Sequence, residues 1–277
     1  MLGEYAAATE NLGTALLLYR EVGHRRGQAN ALAHLGDLNQ SMGRYGDAEE
    51  MHLQALGLFR AIDSRLGQAN ALIDMAYVQR LTGRYAAAAE ALTSALELLH
   101  TDTMPLGTAN ALFQLACAPR HRRRDGGRGV ADRITGVVPG DGQPPGEAHV
   151  LLHRGAVDRK LGKLDEARSH MVEALSLFTA LDDRAGQAEA HNMIGFLADD
   201  RGDPGEARAH HESALEIAKA IGAPLEEARA LEGIGVSHWR QGRADLARPG
   251  LAESLAIHRR LRDAETGRVE RRLLDVG

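Results

Sequence analysis

The chain is short of almost everything that pins a small secreted fold or builds a thiolate metal centre. It has one cysteine, Cys117, in 277 residues, which excludes an internal disulfide framework and any multi-cysteine metal site. Aromatic residues amount to 4%, with one Trp, four Phe and five Tyr. That poverty argues against the two ordinary enzyme domains that the length alone would suggest. No run approaches the about 18 consecutive apolar residues that a membrane-spanning helix requires. The opening MLGEYAAATENLG has neither the basic start nor the apolar stretch of a signal peptide, so the expected location is cytoplasmic, with no membrane partner. A net charge of -5 gives no general attraction for nucleic acid or an anionic membrane. What remains plentiful is short runs of Ala and Leu, and hydrophobic residues reach 44%, enough to bury a core.

Those residues recur with a fixed period. RGQANAL from Arg26 returns as LGQANAL from Leu66 and LGTANAL from Leu106, with weaker copies from Pro145, Ala185 and Leu225. The anchors Gly27, Gly67, Gly107, Gly146, Gly186 and Glu226 are spaced 40, 40, 39, 40 and 40 residues apart. A second ladder, Gly3, Gly43, Gly83, Gly162, Gly202 and Gly242, keeps the same phase and is interrupted only at Arg123.

Each unit reads as two helices. Leu32, Leu35, Leu38 and Met42 share one helical face, and Gly43 then ends the pattern as a helix terminator would. Tyr45, Ala48, His52, Ala55, Phe59 and Ile62 form the stripe of a second helix. A lone hairpin cannot cover both of its apolar faces, whereas stacked neighbours can, which is the physics of a solenoid. No period-2 alternation marks a strand, so the expected class is all-α, an α-solenoid.

The pattern resembles the tetratricopeptide repeat in a 40-residue form. Its motif positions match at Leu32, Leu35, Gly36, Ala48 and Ala55, then Leu72, Ala76, Ala88 and Ala95. They continue at Gly155, Ala167 and Ala174, at Gly195, Ala207 and Ala214, and at Gly235 and Ala247, with Ser254 in place of the expected Ala. HEAT and armadillo repeats share the period but not this phasing. The resemblance implies helix-turn-helix repeats coiled into a right-handed superhelix, with first helices lining a concave groove. The phrase GQANAL and the ending LRDAETGRVERRLLDVG also resemble the C-terminal repeat arrays of antibiotic regulatory proteins and STAND-type transcription regulators. Those regulators carry DNA-binding and nucleotide-binding domains ahead of the repeats, and no G-x-x-x-x-G-K-[ST] phosphate loop is found here.

The phasing divides the chain into an orphan second helix at 1–25, repeats at 26–117, an irregular segment at 118–145, and repeats plus a C-terminal helix at 146–277. Gly3-Glu4-Tyr5 matches the start of second helices, and Leu2, Tyr5, Leu12, Leu16 and Val22 do not read as a polar cap. The expectation is a C-terminal piece of a longer protein or of a gene with a misplaced start. Residues 118–145 hold 6 Gly, 6 Arg and 4 of the 8 Pro, a density that destroys helix propensity. Register resumes one residue short, so the segment replaces a helix instead of adding a loop. That is the expected mark of two compensating frameshifts, and only three Lys against 30 Arg agree with GC-rich coding. Limited proteolysis is expected to cut first between Arg120 and Arg133.

Several other groups have residue types that can carry chemistry. The run from Arg120 to Arg128 resembles a nucleic-acid patch but lacks interleaved aromatics, and a solvated loop is the expected reading. His149 and His153 lie four apart without the Glu of H-E-x-x-H or a third ligand, so no metal is expected. His52 and His211 fall on buried stripes and read as satisfied packing residues. Cys117 reads as a small core residue, and Asp182-Asp183 and Asp199-Asp200 as solvated helix ends. No catalytic constellation is present, so the chain reads as no enzyme, with no cofactor.

The face that first helices turn from the core is the expected binding surface. It contains Asn30, Ala33, Asp37, Gln40 and Ser41, then Asn70, Ile73, Tyr77, Arg80 and Leu81, then Asn110, Phe113 and Cys117. It continues through His149, Leu152, Arg159 and Lys160, through Glu189, Asn192, Phe196 and Asp199, and ends at Arg229, Glu232, Trp239 and Arg240. The expected contact set is Asn30, Asp37, Asn70, Tyr77, Arg80, Asn110, His149, Arg159, Asn192, Phe196, Arg229 and Trp239. Side-chain amides both donate and accept, so the Asn30, Asn70 and Asn110 ladder suits an extended peptide or, equally, bonds to neighbouring helix ends. The expected function is a non-catalytic scaffold for a protein or peptide, forming the sensor part of a larger transcription regulator whose effector domains are further partners. A peptide-pheromone receptor and nucleic-acid binding through residues 120–128 are the alternatives.

Overall fold

Two kinds of turn alternate along the backbone, and each is made by one residue in the left-handed region. Gly43, Gly83, Gly162, Gly202 and Gly242 sit at φ 74 to 79° within repeats. Between repeats the same job falls to Gly23 and Gly222, and to Asp63, Asp182 and Arg262 at φ 52 to 54°. Asp tolerates this conformation better than most side chains; Arg262 adopts it as the C-cap of its helix.

The computed structural model describes residues 2–99, 111 and 144–276, and every regular element among them is an α-helix. The chain divides into two units, Met1–Val138 and Pro139–Gly277. The first holds α1 (Leu2–Glu21), α2 (Arg25–Ser41), α3 (Tyr45–Ala61), α4 (Arg65–Leu81) and α5 (Tyr85–Leu98). The second holds α6 (Pro144–Lys160), α7 (Leu164–Ala180), α8 (Arg184–Asp200), α9 (Pro204–Ile221), α10 (Pro224–Arg240), α11 (Ala244–Leu261) and α12 (Thr266–Asp275). Within each unit successive helices pack together, and first helices of adjacent repeats touch, α2 with α4, α6 with α8, and α8 with α10. The chain is thus an α-solenoid of helical hairpins.

The second-helix stripe is buried as its spacing requires: Tyr45, Ala48, His52, Ala55 and Phe59 are all inside. Small residues of first helices are sockets for these side chains. A methyl group on Gly36 would lie 2.5 Å from His52 Cε1, on Gly155 2.7 Å from Met171 Cγ, on Gly195 2.6 Å from His211 Nε2, and on Gly235 2.8 Å from Leu251 Cγ. Ser254, which departs from the small apolar pattern, is fully buried and donates its hydroxyl to the Ala228 carbonyl at 2.8 Å. It is a satisfied substitution.

The GQ of the repeated phrase has its own structural reason. Residues at the N-cap accept from the anchor glycine: His24 Nδ1 from the Gly27 amide at 3.0 Å, Ser64 Oγ from Gly67 at 3.3 Å, and Asp183 Oδ1 from Gly186 at 2.9 Å. The glutamine that follows ties back to the end of the previous helix. Gln28 donates to the Tyr19 carbonyl at 3.0 Å and Gln187 to the Phe178 carbonyl at 3.3 Å. The phrase therefore encodes the junction between repeats. The irregular segment 118–145, with its frameshift reading and expected proteolytic site, lies outside the described residues apart from the first two residues of α6.

Candidate functional site

The repeat phase sorts the first-helix face into columns, and the columns differ in exposure. Asn30 and Asn70 are exposed, and neither side chain hydrogen-bonds to another described residue. Among the described residues, neither makes the bond to a neighbouring helix end that the sequence allowed. Asn110 lies outside the described residues, as does the Arg run 120–128. His149 and Arg229 continue the column half-buried. His149 meets the Phe178 ring edge-on at 4.8 Å, and Arg229 is paired with Glu226 at 2.5 Å.

The next column, Ala33, Ile73, Leu152, Asn192 and Glu232, runs inward. Ile73, Leu152, Asn192 and Glu232 are buried, so this strip of the expected binding face is packing between adjacent first helices. It changes from apolar in the first unit to polar late in the second, and the polar members are fully engaged. Asn192 donates to the Glu226 carbonyl at 3.0 Å and to its carboxylate at 2.8 Å, and its oxygen faces His211 Nδ1 at 3.1 Å. Glu232, with no exposed surface, accepts from both Arg268 and Arg272 of α12. Arg268 Nη2 reaches Oε2 at 2.8 Å and Arg272 Nη1 reaches Oε1 at 2.5 Å. Glu232 and its arginines hold the C-terminal helix. Leu81 of the same face is likewise buried.

A third set stays at the surface. Asp37 is half exposed. The Arg80 guanidinium lies over the Tyr77 ring, 4.9 Å from its centroid. Arg159 reaches across from α6 to α8, donating to the Phe196 carbonyl at 3.3 Å and to Asp200 at 2.8 Å, with its guanidinium 5.8 Å from the Phe196 ring. Phe196 also packs edge-on against His211 at 4.8 Å. Trp239 is 42% exposed.

Burial perturbs two kinds of titrating group here. Asp199 is nearly inaccessible, and burial lifts its carboxyl to about 6 against the pull of Arg240. The expectation of a solvated helix end thus fails for Asp199, because α10 covers it and Arg240 bonds its carbonyl. Burial pushes His211 down to about 3 and His191 to about 4, each helped by neighbouring His210. The Nδ1 atoms of His191 and His210 are 3.0 Å apart, a contact that requires one to be an acceptor. His211 has a partner on Nδ1, whereas neither ring nitrogen of His52 has one. The reading of His52 as a satisfied core residue therefore fails. Sequence carried only a faint signal for the buried polar column: Glu226 standing where every other repeat has Gly, and Arg268 and Arg272 four apart. Among the described residues, no helix is long and apolar enough to cross a membrane.

The sequence matches the family described as tetratricopeptide repeat over residues 1–61, 39–100 and 146–220. No curated protein matches it. Solved structures share the fold at low identity. A STAND signal-transduction ATPase with a tetratricopeptide repeat sensor, from Pyrococcus horikoshii, is 13% identical with a TM-score of 0.61; the match covers 99% of this chain and 42% of that one. The apo form of RapI is 12% identical with a TM-score of 0.60, covering 92% of this chain and 98% of that one. A Rap protein complexed with Competence and Sporulation Factor is 12% identical with a TM-score of 0.56, covering 91% and 74% respectively.

Proposed function

The chain belongs to the tetratricopeptide-repeat family, and from that premise we propose that it is a non-catalytic scaffold that binds an extended peptide or a peptide-like segment of a partner protein along the exposed face of its first helices. Repeats of this family build protein-interaction scaffolds. The observation that carries the reading is the pair Asn30 and Asn70, one repeat apart, exposed and without hydrogen bonds to the described residues. Such amides offer donor and acceptor together to a peptide backbone. Tyr77 with Arg80 and, in the second unit, Phe196 with Arg159 and the exposed Trp239 supply the aromatic and guanidinium surfaces that dominate binding energy elsewhere. Asn192 is better assigned to internal support, since its amide is already occupied on both sides.

In the finer reading the scaffold is the sensor part of a cytoplasmic regulator, and its ligand alters how effector domains are restrained. The tetratricopeptide repeat sensor of the STAND protein supports that role. A receptor for a small signalling peptide is the second reading, supported by the Rap protein in complex with Competence and Sporulation Factor.

Selection of a displayed random peptide library on the full chain tests the proposal. Enriched peptides should bind at least tenfold more weakly to the N30A/N70A double variant, with its helical melting unchanged. Affinity that ignores both substitutions, or a library that yields no binder, overturns it.

A further inference from the structure

Three consecutive helices of the first unit each contribute one chemically matched group to a single point. Asp37 of α2, His52 of α3 and Asp74 of α4 place one ligand atom apiece within 4.8 Å of one another. His52 is completely buried, and neither of its ring nitrogens has a hydrogen-bond partner. Its Nε2 lies 3.9 Å from Asp37 Oδ1, beyond hydrogen-bond range. A buried imidazole left unsatisfied is costly and calls for a partner.

The second unit shows what this histidine looks like when it only packs. His211 stands four repeats after His52, and there Phe196 and Gly233 occupy the positions of Asp37 and Asp74. Asn192 replaces Ala33 and meets His211 Nδ1 at 3.1 Å. His211 thus packs beside an amide, with neither acid present. Around His52 the amide is missing and two carboxylates have been added.

The carboxylates are uncomfortable without a counter-charge. Burial and the nearby charge of Asp37 lift Asp74 well above the ordinary carboxylate range. A cation at the shared point gives the imidazole its missing partner and the carboxylates a counter-charge.

We propose that Asp37, His52 and Asp74 bind a divalent transition-metal cation, of which Zn2+ is the best match. One imidazole and two carboxylates suit a borderline ion, and the imidazole disfavours Mg2+ and Ca2+. Three donors at about 2.1 Å around a tetrahedral ion stand about 3.4 Å apart, so the present separations, all within 4.8 Å, close by about 1.4 Å at most. The half-exposed Asp37 edge leaves a fourth position to solvent. Bound there, the ion clasps both helices of one repeat to the first helix of the next. The proposal departs from the sequence expectation of no metal and turns Asp37 from an expected peptide contact into a ligand of the ion.

Metal-free full-length chain is titrated with Zn2+ against a chromophoric chelator, and with Co2+ read by its visible absorption. Leu92 and Leu251 already fill the His52 position in other repeats, so H52L preserves the fold. D37N changes a half-exposed side chain and gives a second fold-neutral variant. One Zn2+ per chain is expected, with affinity falling at least tenfold in H52L, D37N and D74N and unchanged in H149A. Failure of the chain to take up Zn2+, or uptake equally tight in H52L and D37N, overturns the assignment.

Discussion

The ring of Phe59 fills the space that a side chain on Gly67 would need, with Cδ1 2.2 Å from where that Cβ would stand. Phe178 does the same to Gly186 at 2.2 Å, and Tyr19 to Gly27 at 2.5 Å. In the one described repeat where Glu226 replaces the glycine, the position eight residues earlier is Ala218. At these three junctions the aromatic is a knob and the glycine its hole, as a close-packed interior requires, whereas Gly107 and Gly146 follow the smaller Leu99 and Val138.

G67A should therefore destabilise the chain by about 1–3 kcal/mol through overpacking. F59A alone should cost about 3–5 kcal/mol as a cavity. The double variant should cost clearly less than their sum, because the added methyl partly fills the hole. Chemical denaturation of the four proteins checks this; strict additivity would sever the pairing.

E232A should release α12. The carboxylate is fully buried while Arg268 and Arg272 are 36% and 38% exposed. The arginines can resolvate once their partner is gone, so the loss should be about 1–3 kcal/mol, below that of a wholly buried pair. Amide hydrogen exchange should show residues 266–275 losing protection while α8 and α9 keep theirs.

Acid should weaken the second unit before ordinary carboxylate titration begins. His191 and His211 are held neutral, with folded values of about 4 and about 3 against 6.5 when unfolded. Below about pH 6.5 the unfolded chain binds protons that the folded chain refuses. Stability is thus complete above that pH and falls as pH drops toward the folded values, by up to about 1.4 kcal/mol per pH unit per histidine. Melting followed from pH 7.5 to 4.5 should show the decline, and H211L should flatten it.

Asp199 has the opposite sign. Its folded value of about 6 exceeds the ordinary 3.8, so the folded chain holds a proton that the unfolded chain releases, and stability is lost as pH rises from 3.8 through 6. D199N should stabilise the protein by about 1–2 kcal/mol at pH 7.5 and by little at pH 4. Equal gains at both pH values would refute the perturbation. Measured in this background, the histidine effect stands free of its compensating term.

The two glycine ladders and the spaced stripes, local features of the sequence, determined the helices, the hairpins and the stack. A helix boundary needs only a residue suited to φ above zero, and a core stripe needs only every third or fourth residue apolar. Exposure of Asn30 and Asn70 followed from the same phase. Tertiary structure decided which columns of that face close against the next first helix, because burial there depends on a neighbour 40 residues away. It turned Asn192 and Glu232 from surface candidates into internal posts. It also gathered Asp37, His52 and Asp74 from three helices, a meeting that no spacing within one helix records.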